Sequence, residues 1–451
     1  MNARKSAARH PAQAYGNEQL HTLQRHTFRY FWEETNAENG LIPDNNAGDH
    51  VPASIAGVGF ALASYPVAVE RSFVPRAKAV ERTLATLRFF WKAPHGPMPD
   101  ATGHQGFFYH FLDVTTGRRA WRCELSTIDT TILIAGALTA AAYFDRDTGA
   151  EREVRELADS LYRRIDWRWA QNGRATVSHG WQPETGFERH RWEGYNEALI
   201  LMVLGLGSPT HPLPETSYRA WASTYRWKKL YGHEFLYGSP LFMHQLSHVW
   251  IDFRGIQDAF MRRQAIDYFE NSRRATYVNQ QYAIRNPKGF RDYGEHAWGI
   301  TASNGPGPAT RRLRGVTRRF LGYAARGVPY GPDDGTLAPW SVVASLPFAP
   351  EIVLPTLAHC SRAYPMHNEY GLVCSFNPTF PSRRSGRPGW ISKDHFALDQ
   401  GPVILMIENY RSGLIWRLMR SCPYVAGGLR RAGFNGGWLA NRTAPATIQK
   451  P

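Results

Sequence analysis

Three carboxylic acids occupy the same kind of position in this chain, each just ahead of an apolar run. Asp129 stands in Trp121-Arg122-Cys123-Glu124-Leu125-Ser126-Thr127-Ile128-Asp129-Thr130, before the apolar residues 132–141. Glu197 precedes residues 198–206. Asp399, in Phe396-Ala397-Leu398-Asp399-Gln400-Gly401-Pro402, precedes residues 403–407. Two carboxyl groups flanking a sugar linkage can break it: one protonates the leaving oxygen, and the other activates water or attacks carbon. Trp121, Trp192 and Trp390 lie near these acids in sequence, and flat indole rings pack against apolar sugar faces. The commoner fate of any one acid at a helix start is to cap the helix or to complement its dipole. The same arrangement three times, each beside a tryptophan, weighs against that reading for the set.

The elements that must hold these acids follow from the apolar pattern. Residues 198–206 are almost wholly apolar, which predicts a helix buried on all sides, ended by Gly205 and Gly207 and stopped by Pro209. Glu193 and Glu197 are four residues apart and are expected on one face at its front. Glu193 is equally well explained as a cap. Glu197, beside the apolar run, is the candidate for chemistry, because an unpaired carboxylate there is costly unless it is needed. Residues 53–68 and 125–143 read as further inner helices, and residues 75–91 and 151–169 as amphipathic outer ones. A first helix runs from residue 19 toward Gly40, and later helical stretches cover 218–231, 241–248, 256–282, 341–346, 350–364 and 401–418. Residues 106–111 read as a hairpin strand, and 177–181 with 187–192 as another hairpin. Strands and helices do not alternate as a parallel sheet requires. The pattern is all-α: a ring of paired helices, inner ones apolar and outer ones amphipathic, whose joining loops on one side carry the site. No fixed-period repeat is visible.

Composition narrows the function. The 451 residues are 43% apolar and 13% aromatic, ample for a large core. The formal charge is +15, with basic residues in short pieces such as Arg262-Arg263, Arg273-Arg274 and Arg311-Arg312-Leu313-Arg314 followed by Arg318-Arg319. Each piece reads first as a solvated face. No zinc-finger, helix-turn-helix or RNA-binding signature is present, which argues against nucleic acid as a partner. No run of 18 apolar residues predicts a membrane span. Cys123, Cys360, Cys374 and Cys422 match no metal motif or disulfide framework. His244 and His248 have the spacing of helical zinc ligands, but no third ligand is evident, so core or substrate hydrogen bonding is the better reading. Residues 1–16 read as a flexible polar leader without a secretory signal. As written the chain is cytoplasmic, and periplasmic if an export signal has been removed.

Several motifs together resemble one family. Gly194-Tyr195-Asn196-Glu197-Ala198, Gly207-Ser208-Pro209-Thr210-His211-Pro212, Ser126-Thr127-Ile128-Asp129-Thr130, Gly238-Ser239-Pro240-Leu241-Phe242 and Asp252-Phe253-Arg254-Gly255 are similar to the glucoamylase-like (glycoamylase) family. So are Gly335-Thr336-Leu337-Ala338-Pro339-Trp340 and Ala397-Leu398-Asp399-Gln400-Gly401-Pro402. That family includes the bacterial endo-β-1,2-glucanases of glycoside hydrolase family 144, and related domains occur in cyclic β-1,2-glucan synthases. The resemblance implies a single (α/α)6 toroid over residues 17–435, with short β-hairpins in the loops on the active-site side and a tail over 436–451. It implies inverting, endo-acting cleavage of β-1,2-glucan without a metal or other cofactor. Carried over by position, Glu197 is the general acid and Asp399 the base, acting directly or through water or a substrate hydroxyl, while Asp129 assists or holds the sugar. Glu124, Trp121, Trp192, His244, Arg273 and Arg274 line the substrate path, with Glu193 and Trp390 as further contacts. The family pattern leads one to expect an acid within Thr301-Ala302-Ser303-Asn304-Gly305-Pro306, where this chain has Asn304. Exo action, transglycosylation, or glucan binding without cleavage are the alternatives.

Overall fold

A helix without a polar face can exist only where every side is covered, and the apolar stretches meet that demand by packing on one another. The computed structural model describes residues 15–382 and 389–440. Helices α1 (Asn17–Glu33), α3 (Arg76–Lys92), α5 (Gly149–Arg164), α9 (Tyr268–Arg285) and α11 (Pro350–Ala363) bury one side only. Helices α2 (Ile55–Glu70), α4 (Thr127–Tyr143), α6 (Leu199–Gly207), α10 (Pro339–Ala344) and α12 (Ala397–Arg411) are buried nearly all round. The shorter α7 (Glu215–Ala222), α8 (Ala259–Gln264), α13 (Leu414–Ser421) and α14 (Pro423–Arg431) complete the set, with a last helical turn at Gly437–Ala440.

The inner elements close a ring. Helix α2 packs on α4 and α12, α4 on α6, and α10 on α12. Between α6 and α10 the ring is completed by two 3-10 turns, Leu241–His244 and Leu246–Val249. Ser247 Oγ accepts from the Ile200 N–H at 3.0 Å, and Gln245 Nε2 donates to the Ser341 carbonyl at 2.6 Å, so these turns bridge both neighbours. Outside, α1 lies against α12, α3 against α5 and α2, α5 against α4, α11 against α10, and α14 against α6. This is the expected (α/α)6 toroid, with one inner position filled by 3-10 turns. Short antiparallel ladders lead into the inner helices. Leu125–Ser126, which pairs with Phe107–Tyr109 and Gly180–Gln182, runs directly into α4.

Several boundaries differ from the sequence reading, each for a local reason. Residues 192–198 are not helical: Gly194 takes a positive φ of 73°, and its N–H is held by the Trp221 carbonyl. Glu193 and Glu197 therefore do not share a helix face. The stretch 218–231 leaves the helix after Ala222 and becomes the hairpin Trp227–Leu230 with His233–Leu236. The stretch 256–282 breaks at Ala265 (φ 56°) and 401–418 at Gly413 (φ 68°). The expected leader, except Tyr15 and Gly16, and the tail beyond residue 440 lie outside the described residues.

The closest approach in the ring is between α2 and α4. A Cβ at Gly136 would lie 2.0 Å from the Gly59 carbonyl oxygen, and one at Gly59 2.4 Å from that of Ile132. Backbone cannot swing aside as a side chain can, so Gly136→Ala is expected to destabilise by about 2–3 kcal/mol through forced separation of the two helices. A thermal unfolding midpoint equal to that of the unsubstituted chain would contradict this packing.

Candidate active site

The N-terminal ends of the inner elements gather around one cavity of ≈470 Å³. Ile128, Asp129 and Ile132 reach it from α4, and Leu398, Asp399 and Pro402 from α12. Glu197 enters from the turn before α6, Phe242 and Leu246 from the 3-10 turns, and Trp340 from α10. Asp44, His110, Asn304 and the exposed Tyr323 come from loops. The three acids picked out by sequence thus line one space, each held by its own local structure. Ser126, the residue capping α4, accepts from the Asp129 N–H at 3.2 Å and donates from the same hydroxyl to Asp129 Oδ2 at 2.5 Å. The Glu197 carbonyl accepts from Ser247 Oγ at 3.0 Å, which ties the turn to the neighbouring ring element. Asp399 lies in the first turn of α12, whose start is anchored by the Ala397 N–H donating to the Asp44 carbonyl at 2.8 Å.

The carboxyls divide into partnered and unpartnered. His110 stands between two of them, its Nδ1 2.8 Å from Glu124 Oε1 and its Nε2 3.6 Å from Asp129 Oδ2. Burial alone would lower the His110 pKa, but the carboxylates of Asp129, Glu124 and Asp44 outweigh it and raise it to about 9. His110 is therefore a cation at neutral pH, and its hydrogen bond helps hold Glu124 below the usual carboxylate range against the opposing effect of burial. Glu197 Oε2 and Asp399 Oδ2, by contrast, are buried without a hydrogen-bond partner. Burial, with the Asp129 charge adding, pushes Glu197 up to about 7. Burial pushes Asp399 to about 8, with Asp44 adding to the rise and the Cys374 thiol opposing it. Carboxyls that keep a proton this far up the pH scale can donate one where an ordinary acid cannot. Trp340 Nε1, also buried and unpartnered, adds a donor in the same wall.

The other expected contacts are distributed differently. Glu124 belongs to the site through His110. Trp121 is exposed, with its ring 5.0 Å from that of Phe111, a cavity residue, which places it at the rim. Trp192 does not line the cavity: its Nε1 donates to Thr127 Oγ1 at 2.9 Å, two residues before Asp129, and its ring stacks on His179. Glu193 is exposed and accepts from Thr176 Oγ1. His244 is buried and faces the Gly238 carbonyl, and burial lowers it to about 4. Arg273 and Arg274 sit on outer helix α9, bound to Glu351 and Glu270. Trp390 pairs with Asn377 in a short ladder away from the cavity lining. Asp44, His110, Tyr323 and Trp340 were not singled out by sequence. Asp44 lies in a Pro-Asp-Asn turn and His110 in a run of aromatics, settings that already have a structural explanation. Among the described residues no three His, Cys, Asp or Glu side chains cluster as metal ligands, and no helix is long and apolar enough to cross a membrane.

An (α/α)6 ring with a carboxyl-lined cavity at the helix N-termini defines the class. Residues 189–423 match the Glycoamylase family model, and the chain belongs to that glucoamylase-like family. An exo β-1,2-glucooligosaccharide sophorohydrolase (non-reducing end) of Parabacteroides distasonis is 29% identical over 447 residues, covering 91% of this chain. The chain spans only 57% of the length of that curated relative. A solved glucoamylase-like protein of Bacteroides uniformis is 32% identical with TM-score 0.82, over 94% of this chain and 99% of its own. An endo-β-1,2-glucanase from Chitinophaga pinensis, solved with sophorotriose and glucose, is 27% identical with TM-score 0.81, over 94% of this chain and 100% of its own.

The raised carboxyls carry a stability consequence. A carboxyl whose folded-state pKa lies above its unfolded value favours the folded state fully at low pH, and this stability is lost as pH rises through the folded value. For Glu197 and Asp399 that rise runs up to about 7 and about 8. Glu197→Gln and Asp399→Asn remove the charge that the cavity resists. Each variant should therefore gain in melting temperature over the unsubstituted chain as pH is raised from about 5 to about 8.5. A gain that stays constant with pH would show that these groups are not held protonated.

Proposed function

We propose that this chain is a glycoside hydrolase that cleaves β-1,2-glucan. The observation that carries the reading is the pair Glu197 and Asp399, two carboxyls in one cavity each with a buried oxygen lacking a hydrogen-bond partner, in a chain whose relatives include enzymes named for β-1,2-glucans. Glu197 is the general acid: it keeps its proton near neutral pH and delivers it to the leaving glycosidic oxygen. Asp399 is the base for the attacking water, directly or through a substrate hydroxyl. Its base role needs the ionised form, and glucan hydroxyls donating to the buried Oδ2 would supply hydrogen bonds that favour it. Asp129, oriented by Ser126 and facing the His110 cation, stays out of proton transfer and holds the sugar. With water attacking from the face opposite the leaving group, the anomeric configuration inverts. Tyr323 and Trp121, exposed at the rim, offer flat rings for sugars outside the cavity.

We take the action to be endo, because the likeness to the Chitinophaga endo-β-1,2-glucanase extends over the whole of that chain. Exo release of a disaccharide is the second reading, favoured by the name of the Parabacteroides relative. Product analysis on linear β-1,2-glucan, beside β-1,3-, β-1,4- and α-1,4-glucans, separates them. Mixed short oligosaccharides from the β-1,2 polymer alone are expected, whereas sophorose alone indicates exo action, and binding without cleavage overturns the hydrolase reading. Glu197→Gln and Asp399→Asn should each lower kcat by roughly 10³-fold or more with glucan binding retained, in keeping with the loss of an essential proton-transfer group. Near-normal turnover in either variant removes that residue from its role.

A further inference from the structure

One strongly charged feature is not used by the chemistry above. The strands Ala309–Leu313 and Val316–Phe320 form a two-stranded ribbon with Arg311 opposite Arg318, Thr310 opposite Arg319 and Arg312 opposite Thr317. Arg311, Arg312, Arg314 and Arg319 are exposed. Arg318 is held down, donating to the Lys288 and Gly289 carbonyls with its guanidinium over the Phe290 ring, and the Arg311 guanidinium lies 6.0 Å from the centre of the Phe380 ring. Arg311 donates to its neighbour's carbonyl, that of Thr310. None of the five forms an ion pair with a carboxylate among the described residues. Residues 1–14, 383–388 and 441–451 contain no Asp or Glu either, so they offer no side-chain carboxylate. Like charges directly across a ladder destabilise it. Among the described residues the fold gives this ribbon no carboxylate to neutralise its charge.

The base of the ribbon is the cavity wall. Ala302–Ser303, just before it, pairs with Ala324–Ala325, just after it. Ala302, Asn304 and Tyr323, on the connecting segments, line the cavity. Strands of five residues reach about 17 Å at 3.3 Å per residue. The ribbon thus springs from residues that line the cavity and carries guanidinium groups without carboxylate partners. Guanidinium forks match carboxylate and phosphate oxygens two at a time.

We infer that this ribbon is an anion-binding arm at the cavity mouth. It takes carboxylate- or phosphate-bearing substituents on a glucan whose backbone occupies the cavity. The inference rests on the proposed β-1,2-glucan substrate for the backbone. A membrane surface is less well matched, since Val316 is the one large hydrophobic side chain exposed on the ribbon and peripheral membrane contact draws on buried apolar area as well as charge.

The test uses the full chain carrying Glu197→Gln, so that binding is read without turnover. The ligands are linear β-1,2-glucan unmodified, succinylated, or phosphorylated. At about 50 mM salt the anionic glucans should bind roughly tenfold tighter than the neutral one, the sum of a few exposed ion pairs. The advantage should vanish at about 0.5 M salt, where charges are screened within a few ångströms. It should also vanish in the triple variant Arg311→Ser, Arg312→Ser, Arg319→Ser, with neutral-glucan affinity unchanged, and return largely with lysines at the same positions. A benefit for one modified glucan only identifies which anion the arm takes. Equal affinity for neutral and anionic glucan, or an advantage that survives the serine variant, overturns the inference. So does ribbon-dependent binding to phosphatidylserine–phosphatidylcholine vesicles without any preference for anionic glucan. If neither neutral nor anionic glucan is bound, the substrate reading fails with it; failure of the arm alone leaves neutral glucan bound.

Discussion

Inner helices α4, α10 and α12 point their N-terminal ends at one cavity, and the behaviour of the site follows from that geometry. Helix N-termini carry partial positive charge and favour ionised carboxylates by about 0.3–1 kcal/mol, up to ~2 in buried settings. Burial works against them. Raising Asp399 from 3.8 to about 8 corresponds to an opposing effect on the order of 5 kcal/mol. Burial therefore wins wherever no further partner is provided, as at Glu197 and Asp399. Where His110 supplies a partner, as at Glu124, the balance shifts toward the charged form. The partner that decides the outcome at Glu124, His110, comes from a loop rather than from a helix.

The ring itself depends on contacts that only glycine permits. Gly59 and Gly136 let α2 and α4 meet backbone to backbone, Gly401 lies against the Phe60 ring, and Gly428 against the Val203 carbonyl. The approaches at Gly59, Gly136 and Gly401 keep the inner circle narrow enough for acids from α4, α12 and the turn before α6 to share one cavity, while Gly428 lets outer helix α14 close on α6. Trp192 adds a cross-tie: from the segment leading to Glu197 it bonds Thr127 at the start of α4. Its value to the site lies in position rather than in sugar contact.

The acids were legible in the sequence because their signal is local: a carboxylic acid beside an apolar run that must be buried. The inner helices were legible for the same reason. What failed was continuity. The stretch through Glu193 and Glu197 reads as one helix, but Gly194 turns the chain and α6 begins only at Leu199. Hydrophobic spacing could not show that residues 227–236 form a hairpin, nor that 241–249 would coil as 3-10 turns. Asp44 and His110 escaped because their roles arise from long-range juxtaposition, between a turn, a strand end and two helix starts. Arg273, Arg274 and His244, expected along the substrate path, lie outside the cavity lining. Their side chains are engaged by Glu351, Glu270 and the Gly238 carbonyl.

Charge is also sorted by depth. The cavity gathers Asp44, Asp129, Glu197 and Asp399 around a single cation, His110, while the surplus of basic residues behind the net +15 lies elsewhere. A neutral sugar backbone suits such an interior, because it brings hydroxyl donors to carboxyl oxygens without adding charge that low dielectric would penalise. An anionic group that entered would meet the same burial that holds Glu197 and Asp399 protonated. Any charge on a substrate is therefore tolerated only outside, where water screens it and arginine can meet it. The ribbon between Asn304 and Tyr323 carries its arginines on that outer side, so one stretch of chain joins the acidic interior to a basic rim.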